Sequence, residues 1–178
     1  MKTCKNGTQY DCGFSPKMGS QDAVVAHINT ATESIYMATY SFTSKVVMDA
    51  LMQAKDRGVE IHVVSDEVDN IKPSSVTKLL ALNGISVRLN KKYHILHHKF
   101  IIVDGIHLEL GSFNYSANAY TSNAENVLVL YNVPELCAEY KVQWDRMWEE
   151  GFDWTETNGF TVILKTIVHK VKSLTKQK

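Results

Sequence analysis

Apolar positions in the first half of the chain alternate between two spacings. Residues recur at helical intervals within 21–34 and 43–58, and a shorter helix is predicted over 74–84. Apolar runs typical of buried strands lie between them, at 34–42, 59–66 and 85–89. This alternation of strand and helix predicts parallel strands with helices packed on both faces of a sheet.

The second half changes to a hairpin pattern. Apolar runs at 100–103 and 106–110 flank Asp104-Gly105, a dipeptide suited to a tight two-residue turn. A further strand is predicted at 126–131 and a helix at 134–151, whose aromatic stripe favours core packing. The predicted fold is therefore α/β, with a mixed, mostly parallel sheet. We expect one domain over 1–153, including an N-terminal extension at 1–12, and a basic tail at 154–178.

Length and composition agree with a single soluble domain. The chain has 178 residues, of which 44% are hydrophobic and 21% charged. No stretch approaches the roughly 18 apolar residues of a membrane span, and no leader is recognisable, so the sequence as written predicts a cytoplasmic protein. A removed signal peptide would make it periplasmic or secreted. Cys4 and Cys12 are expected to be free thiols, or a pair if the protein is exported, and Cys137 a core residue.

The net charge of zero conceals an uneven distribution. Residues 71–103 hold six Lys or Arg and no acid, whereas 104–156 hold ten acids and two bases. The segment 160–178 adds five Lys and no acid. A polyanion would be attracted to the basic stretch. We therefore predict substrate contacts from Arg88, Lys91, Lys92 and His94, with a solvated loop as the alternative.

The sequence HHKFIIVDGIHLELGSFN, at 97–114, places polar side chains on the predicted hairpin. Side chains alternate between the two faces of a strand, so His97 and Lys99 share one face. Ser112 and Asn114 share a face by the same rule. The hairpin is therefore predicted to present an imidazole, an ammonium, a hydroxyl and an amide to one ligand.

This set of groups suits a phosphodiester. Lys99 and Asn114 can neutralise the phosphate oxygens as charge develops in the transition state. His97 can attack phosphorus, provided that its second ring nitrogen is held as N–H. Glu125, in the sequence SNAENVLVL, is the predicted carboxylate that holds this tautomer.

The spacing His97-x-Lys99-x4-Asp104-x6-Gly111-Ser112 resembles the HKD motif of the phospholipase D superfamily. The extended pattern is similar to the single-motif branch, which includes Nuc-type bacterial endonucleases and mitochondrial cardiolipin hydrolases. The resemblance implies a phosphohistidine at His97, a phosphate-binding set of Lys99, Ser112 and Asn114, and an orienting role for Glu125. Asp104 matches the motif aspartate, which we interpret as structural support at the turn. No metal or cofactor is implied.

A single motif also implies a partner. The superfamily mechanism uses two histidines, one that attacks and one that protonates the leaving oxygen. The resemblance therefore implies a homodimer whose active site lies across a two-fold interface.

Three functions remain open from the sequence. A metal-independent endonuclease acting on DNA, or on RNA, is favoured, although residues 1–159 hold 14 bases and 19 acids, which disfavours a long DNA footprint. A lipid phosphodiesterase of the cardiolipin type, with the tail contacting a membrane, is the alternative. A non-catalytic nucleic-acid-binding module is the third. A zinc site at His94, His97 and His98 is a competing interpretation of the histidines.

Overall fold

A computed structural model describes residues 1–5 and 7–156 of the chain. Most of the predicted basic tail therefore lies outside the described residues. The strands of the described part are β1 (Lys2–Thr3), β2 (Gln9–Phe14), β3 (Ser34–Thr39), β4 (Glu60–Asp66), β5 (Ser86–Asn90), β6 (Lys99–Val103), β7 (His107–Gly111), β8 (Asn126–Tyr131) and β9 (Phe152–Asp153). The helices are α1 (Ser20–Asn29), α2 (Lys45–Asp56), α3 (Glu67–Asn70), α4 (Thr77–Leu82), α5 (Ala117–Thr121) and α6 (Pro134–Glu149). A 3-10 helix follows at Trp154–Glu156.

All these strands form one mixed sheet, in the order β1-β2-β8-β7-β6-β3-β4-β5-β9. The prediction of a mixed sheet is confirmed, but the prediction that it is mostly parallel is wrong. Only β3–β4 and β4–β5 pair in parallel in the described part, and the other six strand pairs are antiparallel. The helical connections of the first half produce the two parallel pairs, whereas hairpins and late returning strands produce the rest.

The N-terminal segment belongs to the sheet. β2 pairs along its length with β8, from Gln9 opposite Tyr131 to Gly13 opposite Val127. The segment 1–12, interpreted from the sequence as an extension, thus contributes β1 and most of β2. The apolar pattern of this segment is weak because only Gly13 within β2 is buried.

Two apolar layers cover the two faces of the sheet, as predicted. One layer packs α1, α2 and α4 against the sheet and includes the buried side chains of Val24, Leu51 and Leu80. The other layer lies under α6 and contains Phe100, Trp144, Met147 and Cys137, which confirms the predicted core role of Cys137.

The chain passes the predicted domain end at 153 without leaving the core. Trp154 is 7% exposed and belongs to the layer beneath α4. The domain therefore extends at least into the 3-10 helix. Within the described residues, none of the helices has both the length and the apolar character needed to cross a bilayer.

Candidate active site

Three neighbouring strands bring the polar residues of the motif to one edge of the sheet. Phe100 lies opposite Leu110 in the β6–β7 ladder, which places Lys99 beside the end of β7. The β7–β8 ladder pairs Gly111 with Val127, so that Glu125 and Asn126 adjoin Ser112. The carboxyl end of β3 reaches the same edge, since Thr39 pairs with Lys99.

His97 and Lys99 converge on the ring of Tyr40. The His97 and Tyr40 rings are 4.9 Å apart between centroids, and Lys99 Nζ lies 5.4 Å from the Tyr40 centroid. Lys99 Nζ also donates a hydrogen bond to the carbonyl oxygen of His97 at 2.6 Å. His98 instead packs edge-on against Phe100, in the layer beneath α6. The two histidine rings thus contact different aromatic residues, although both histidines line one pocket.

Lys99 is a buried cation. It is only 7% exposed, and burial lowers the pKa of its ammonium group to about 8, although the negative charge of Glu125 acts to raise it. A buried ammonium group without a close carboxylate partner is suited to receiving an anionic ligand.

Ser112 and Glu125 are joined directly. Ser112 Oγ donates to Glu125 Oε2 at 2.5 Å, and Asn123 Nδ2 donates to Glu125 Oε1 at 2.9 Å. Ser112 Oγ also accepts a hydrogen bond from the backbone N–H of Asn126 at 3.1 Å. Both Glu125 oxygens are thus engaged, and none of the hydrogen bonds of the described chain joins Glu125 to His97. The predicted orienting contact is not formed within one chain.

Asn114 is held between two core aromatic residues. Phe113 and Tyr115 are fully buried, whereas Ser112 is exposed and Asn114 is half-buried. Oδ1 of Asn114 is buried and has no hydrogen-bond partner among the described residues. An unpaired buried acceptor costs about 1–3 kcal/mol, which favours a site that gains a donor when it is occupied.

A buried acid anchors this segment from below. Tyr115 Oη donates to Glu109 Oε2 at 2.7 Å, and both side chains are fully buried. Burial raises the pKa of Glu109 to about 8, an effect that the bond from Tyr115 partly opposes. Glu109 is therefore mostly neutral at pH 7.

Asp104 lies away from the cluster, at the opposite end of β6. Its carboxylate accepts hydrogen bonds from the backbone N–H groups of Thr32, Glu33 and Ser34, each at 2.9 Å, and from Thr32 Oγ1 at 2.8 Å. Burial alone would raise the pKa of Asp104, but these bonds outweigh it and hold the pKa below its usual value. Positive φ angles at Asp104 (53°) and Gly105 (67°) agree with the predicted turn.

The four predicted substrate contacts have different surroundings. Arg88 lies on β5, with β3 and β4 between it and β6, and it binds Asp153 and the carbonyl oxygen of Trp148. The structure therefore does not bring Arg88 to the cluster. Its side chain instead links β5 to β9, the neighbouring strand at the edge of the sheet. Lys92 pairs with Glu150 at 2.6 Å, and Lys91 Nζ lies 5.0 Å from the Phe152 centroid. His94 is exposed in the loop that leads to His97.

The residues that support the loop before His97 were not among the predicted site residues. Asp66 Oδ2 accepts a hydrogen bond from the backbone N–H of Leu96 at 3.0 Å, and Asp66 Oδ1 caps α3 through the N–H of Asp69. Asn70 Nδ2 donates to the carbonyl oxygen of Tyr40 at 2.6 Å. The available signal was positional, because Tyr40 follows β3 and Asp66 ends β4. Both residues thus lie at the carboxyl ends of neighbouring parallel strands, where ligand sites form.

The histidines of the described residues do not gather into a metal site. Within residues 1–5 and 7–156, no three side chains of His, Cys, Asp or Glu are placed to hold a metal ion. The alternative zinc site at His94, His97 and His98 therefore has no support in this part of the chain.

A family model described as the PLD-like domain of cardiolipin synthase matches residues 24–148, which span every residue of this cluster. The chain belongs to the phospholipase D superfamily. Among solved structures of the superfamily, Nuc from Salmonella typhimurium is 37% identical, with a TM-score of 0.79 over 83% of this chain and 98% of that one.

Two curated relatives have the names of enzymes that act on lipids. The chain is 31% identical over 138 residues to a mitochondrial cardiolipin hydrolase of Chlamydomonas reinhardtii, covering 78% of this chain and 61% of that protein. It is 35% identical over 131 residues to a phospholipase D of Rickettsia bellii, covering 74% and 65% respectively. The chain thus spans less than two thirds of the length of these two relatives.

Proposed function

We propose that this chain is a metal-independent phosphodiesterase that cleaves nucleic acid, with DNA as the preferred substrate, through a phosphohistidine at His97. The observation that carries this proposal is the placement of His97, Lys99, Ser112 and Asn114 at adjoining strand ends, where the buried ammonium group of Lys99 forms no ion pair with a carboxylate of the described residues. The similarity to Nuc supports the choice of nucleic acid.

The proposed reaction has two displacements. A ring nitrogen of His97 attacks phosphorus, so that a P–N bond forms while the P–O bond to the leaving group breaks. A second histidine gives its proton to the leaving oxygen. Water then attacks phosphorus, the P–N bond breaks, and the proton from water returns to the second histidine. Lys99 stabilises the phosphate oxygens in both steps.

The second histidine is proposed to be His97 of another copy. His27 is not available for this role, because it is fully buried under β6 with Nε2 3.1 Å from the carbonyl oxygen of Ile101. A two-fold dimer would supply the missing imidazole without any further residue.

A lipid phosphodiesterase is the second candidate function. The names of the two curated relatives favour it, as does a pocket of about 540 Å³ lined partly by Phe100, Tyr140 and Val142. His98, the neighbour of the proposed nucleophile in sequence, also lines this pocket.

Parallel assays with labelled single-stranded DNA, duplex DNA, RNA and cardiolipin, all containing EDTA, test the proposal. We expect cleavage of nucleic acid that EDTA does not reduce and that His97→Ala abolishes. Cleavage of cardiolipin alone would replace the first function with the second. Complete inhibition by EDTA would reject the metal-independent mechanism.

Mixed subunits test the shared site. Wild-type and His97→Ala chains are unfolded together in urea and refolded at varied ratios. If each site needs two copies of His97, an equal mixture retains about one quarter of the wild-type activity, whereas independent sites would retain about one half. Sedimentation should give about twice the chain mass.

A further inference from the structure

A small basic pocket opens beside His97. Its volume is about 290 Å³, and its lining consists of Tyr93, Ile95, Leu96, His97, His98 and Arg146. None of these lining residues is acidic. A group bound here would lie next to a phosphate held by His97 and Lys99.

Arg146, on α6, is the strongest charge in this pocket. It is exposed, and within residues 1–5 and 7–156 its side chain forms no hydrogen bond or ion pair. The guanidinium group contacts the Tyr93 ring, with 6.0 Å from the guanidinium carbon to the ring centroid. The other arginines are fully engaged. Arg57 donates to two carbonyl oxygens, and Arg88 binds Asp153 and Trp148.

The acid best placed to neutralise Arg146 is occupied elsewhere. Glu150, the C-cap residue of α6, lies four residues after Arg146, where an ion pair between the two would be expected. Glu150 Oε1 instead accepts from Lys92 Nζ at 2.6 Å, and Oε2 accepts from Tyr93 Oη at 2.5 Å. These bonds fix Tyr93 beneath Arg146 and leave the guanidinium group open to a ligand.

We propose that Arg146 binds the backbone phosphate adjacent to the scissile phosphate of a nucleic-acid substrate, which deepens the proposed function and rests on it. A planar guanidinium group can hold two oxygens of a phosphate at once, and Tyr93 restricts its orientation. Ile95 and Leu96 add apolar lining that suits the sugar between the two phosphates. Nucleic acid presents such a second phosphate at every internal position.

Short thymidine substrates isolate this contact. The set comprises bis(p-nitrophenyl) phosphate, which has one phosphodiester, and thymidine trimers with two linkages. In two further trimers, one linkage is a neutral methylphosphonate, placed on either side of the remaining phosphodiester. For the wild-type protein, we expect kcat/KM per cleavable bond to fall roughly 10- to 100-fold for one of the two methylphosphonate isomers, since charge-assisted hydrogen bonds are lost.

The Arg146→Gln variant should remove this preference. Its kcat/KM for the charged trimer should fall to that of the methylphosphonate trimer, while hydrolysis of bis(p-nitrophenyl) phosphate stays within about twofold of wild type, because the reacting phosphate does not touch Arg146. Arg146→Lys keeps the positive charge but loses the planar guanidinium group. Its kcat/KM for the charged trimer should lie between the values for wild type and Arg146→Gln. Lys55→Gln, in the last turn of α2, removes the same charge at the opposite edge of the sheet and should change neither rate.

Binding gives an independent readout. With His97→Ala to prevent cleavage, adding Arg146→Gln should reduce the slope of log Kd against log salt for single-stranded DNA by about one.

The outcomes separate the two proposals. A preference for the charged trimer that persists in Arg146→Gln overturns the subsite alone. The subsite is also overturned if this variant loses kcat/KM equally on bis(p-nitrophenyl) phosphate, or if it sediments as a monomer. A wild-type protein that hydrolyses cardiolipin and leaves every thymidine trimer intact overturns the proposed function and the subsite with it.

Discussion

The ammonium group of Lys99 donates a hydrogen bond to the carbonyl oxygen of His97, 2.6 Å away. The two residues that the motif places on one strand face are thus linked through the backbone, and the ring of Tyr40 contacts both. This link fixes the loop that carries the proposed nucleophile to the cation that would hold its substrate.

The pKa of Lys99 predicts how activity depends on pH. Burial lowers the pKa of the free enzyme's ammonium group to about 8, so the charged form is lost as pH rises through this value. Because kcat/KM reports the free enzyme, its alkaline limb should fall near pH 8, well below the ordinary lysine value of about 10.4. A profile of kcat/KM from pH 6 to about pH 10 measures it.

Two variants check the assignment of this limb. Lys99→Met keeps much of the buried stem and should reduce turnover by at least about 100-fold, with little change in circular dichroism. Lys78→Met, a lysine of α4 outside the cluster, should retain the wild-type profile. A wild-type rate that stays constant from pH 7 to about pH 10 would contradict a role for the charged form of Lys99.

Asp104 is predicted to stabilise the fold without acting in the reaction. Its carboxylate accepts four hydrogen bonds at the end of β6 opposite to Lys99. Asp104→Asn turns one acceptor into a donor that faces N–H groups, and should lower the free energy of unfolding by about 1–3 kcal/mol. Activity per folded molecule should stay near wild type. Urea unfolding and active-site titration measure the two quantities, with the exposed Asp49→Asn as control.

The carboxylate of Asp104 also makes the free energy of unfolding depend on pH. The folded-state pKa of Asp104 is lower than its unfolded value, so its contribution to stability is complete above the unfolded value and is lost as pH falls through the folded one. The stability difference between wild type and Asp104→Asn should therefore shrink below about pH 4. A difference that stays constant down to about pH 2 would mean that the four bonds do not depend on the charge of Asp104.

Local sequence patterns predicted the individual helices and strands better than they predicted which strands pair in the sheet. Alternating apolar spacings predicted β3, α2 and β4 because each element buries its own apolar face. They did not predict β2, whose residues are mostly half-exposed and become a strand by pairing with distant β8. Strand pairing between remote segments leaves little trace in either segment alone.

In the candidate site, too, local sequence patterns predicted the residues of the motif but not the residues that reach it from other elements. His97, Lys99, Ser112 and Asn114 lie close together in sequence, so strand alternation predicted their shared edge. Tyr40, Asp66 and Arg146 reach this edge from separate elements, and no spacing rule links them to the motif. The pairing of Lys92 with Glu150 also could not be predicted from the basic stretch, because the acid is the C-cap residue of the distant helix α6.

Gly111 is predicted to be irreplaceable for a steric reason. A Cβ atom at this position would lie 2.2 Å from the carbonyl oxygen of Asn126 in the neighbouring strand. Gly111→Ala must therefore push β7 from β8, with an expected loss of about 1–3 kcal/mol in unfolding free energy. Ser112→Ala removes the side-chain hydrogen bonds to Glu125 and to the N–H of Asn126 but keeps the bond from its own N–H to the carbonyl oxygen of Asn126. It should reduce activity with a smaller loss of stability. Equal unfolding midpoints for Gly111→Ala and wild type would show that the strands separate at no cost.

Glu109 is predicted to make the fold less stable as the medium becomes alkaline. Its folded-state pKa is raised to about 8, so the folded protein keeps a proton that the unfolded chain loses at ordinary carboxyl values. Its contribution to stability is complete below the unfolded pKa and declines until pH passes the folded one, by at most about 1.4 kcal/mol per pH unit. Glu109→Gln can still accept the hydrogen bond from Tyr115 but does not titrate. The stability of this variant relative to wild type should therefore rise between about pH 5 and pH 8 in urea unfolding, whereas the exposed Glu33→Gln should track wild type. Parallel curves for wild type and Glu109→Gln across this range would show that the buried carboxyl group does not titrate with the raised pKa.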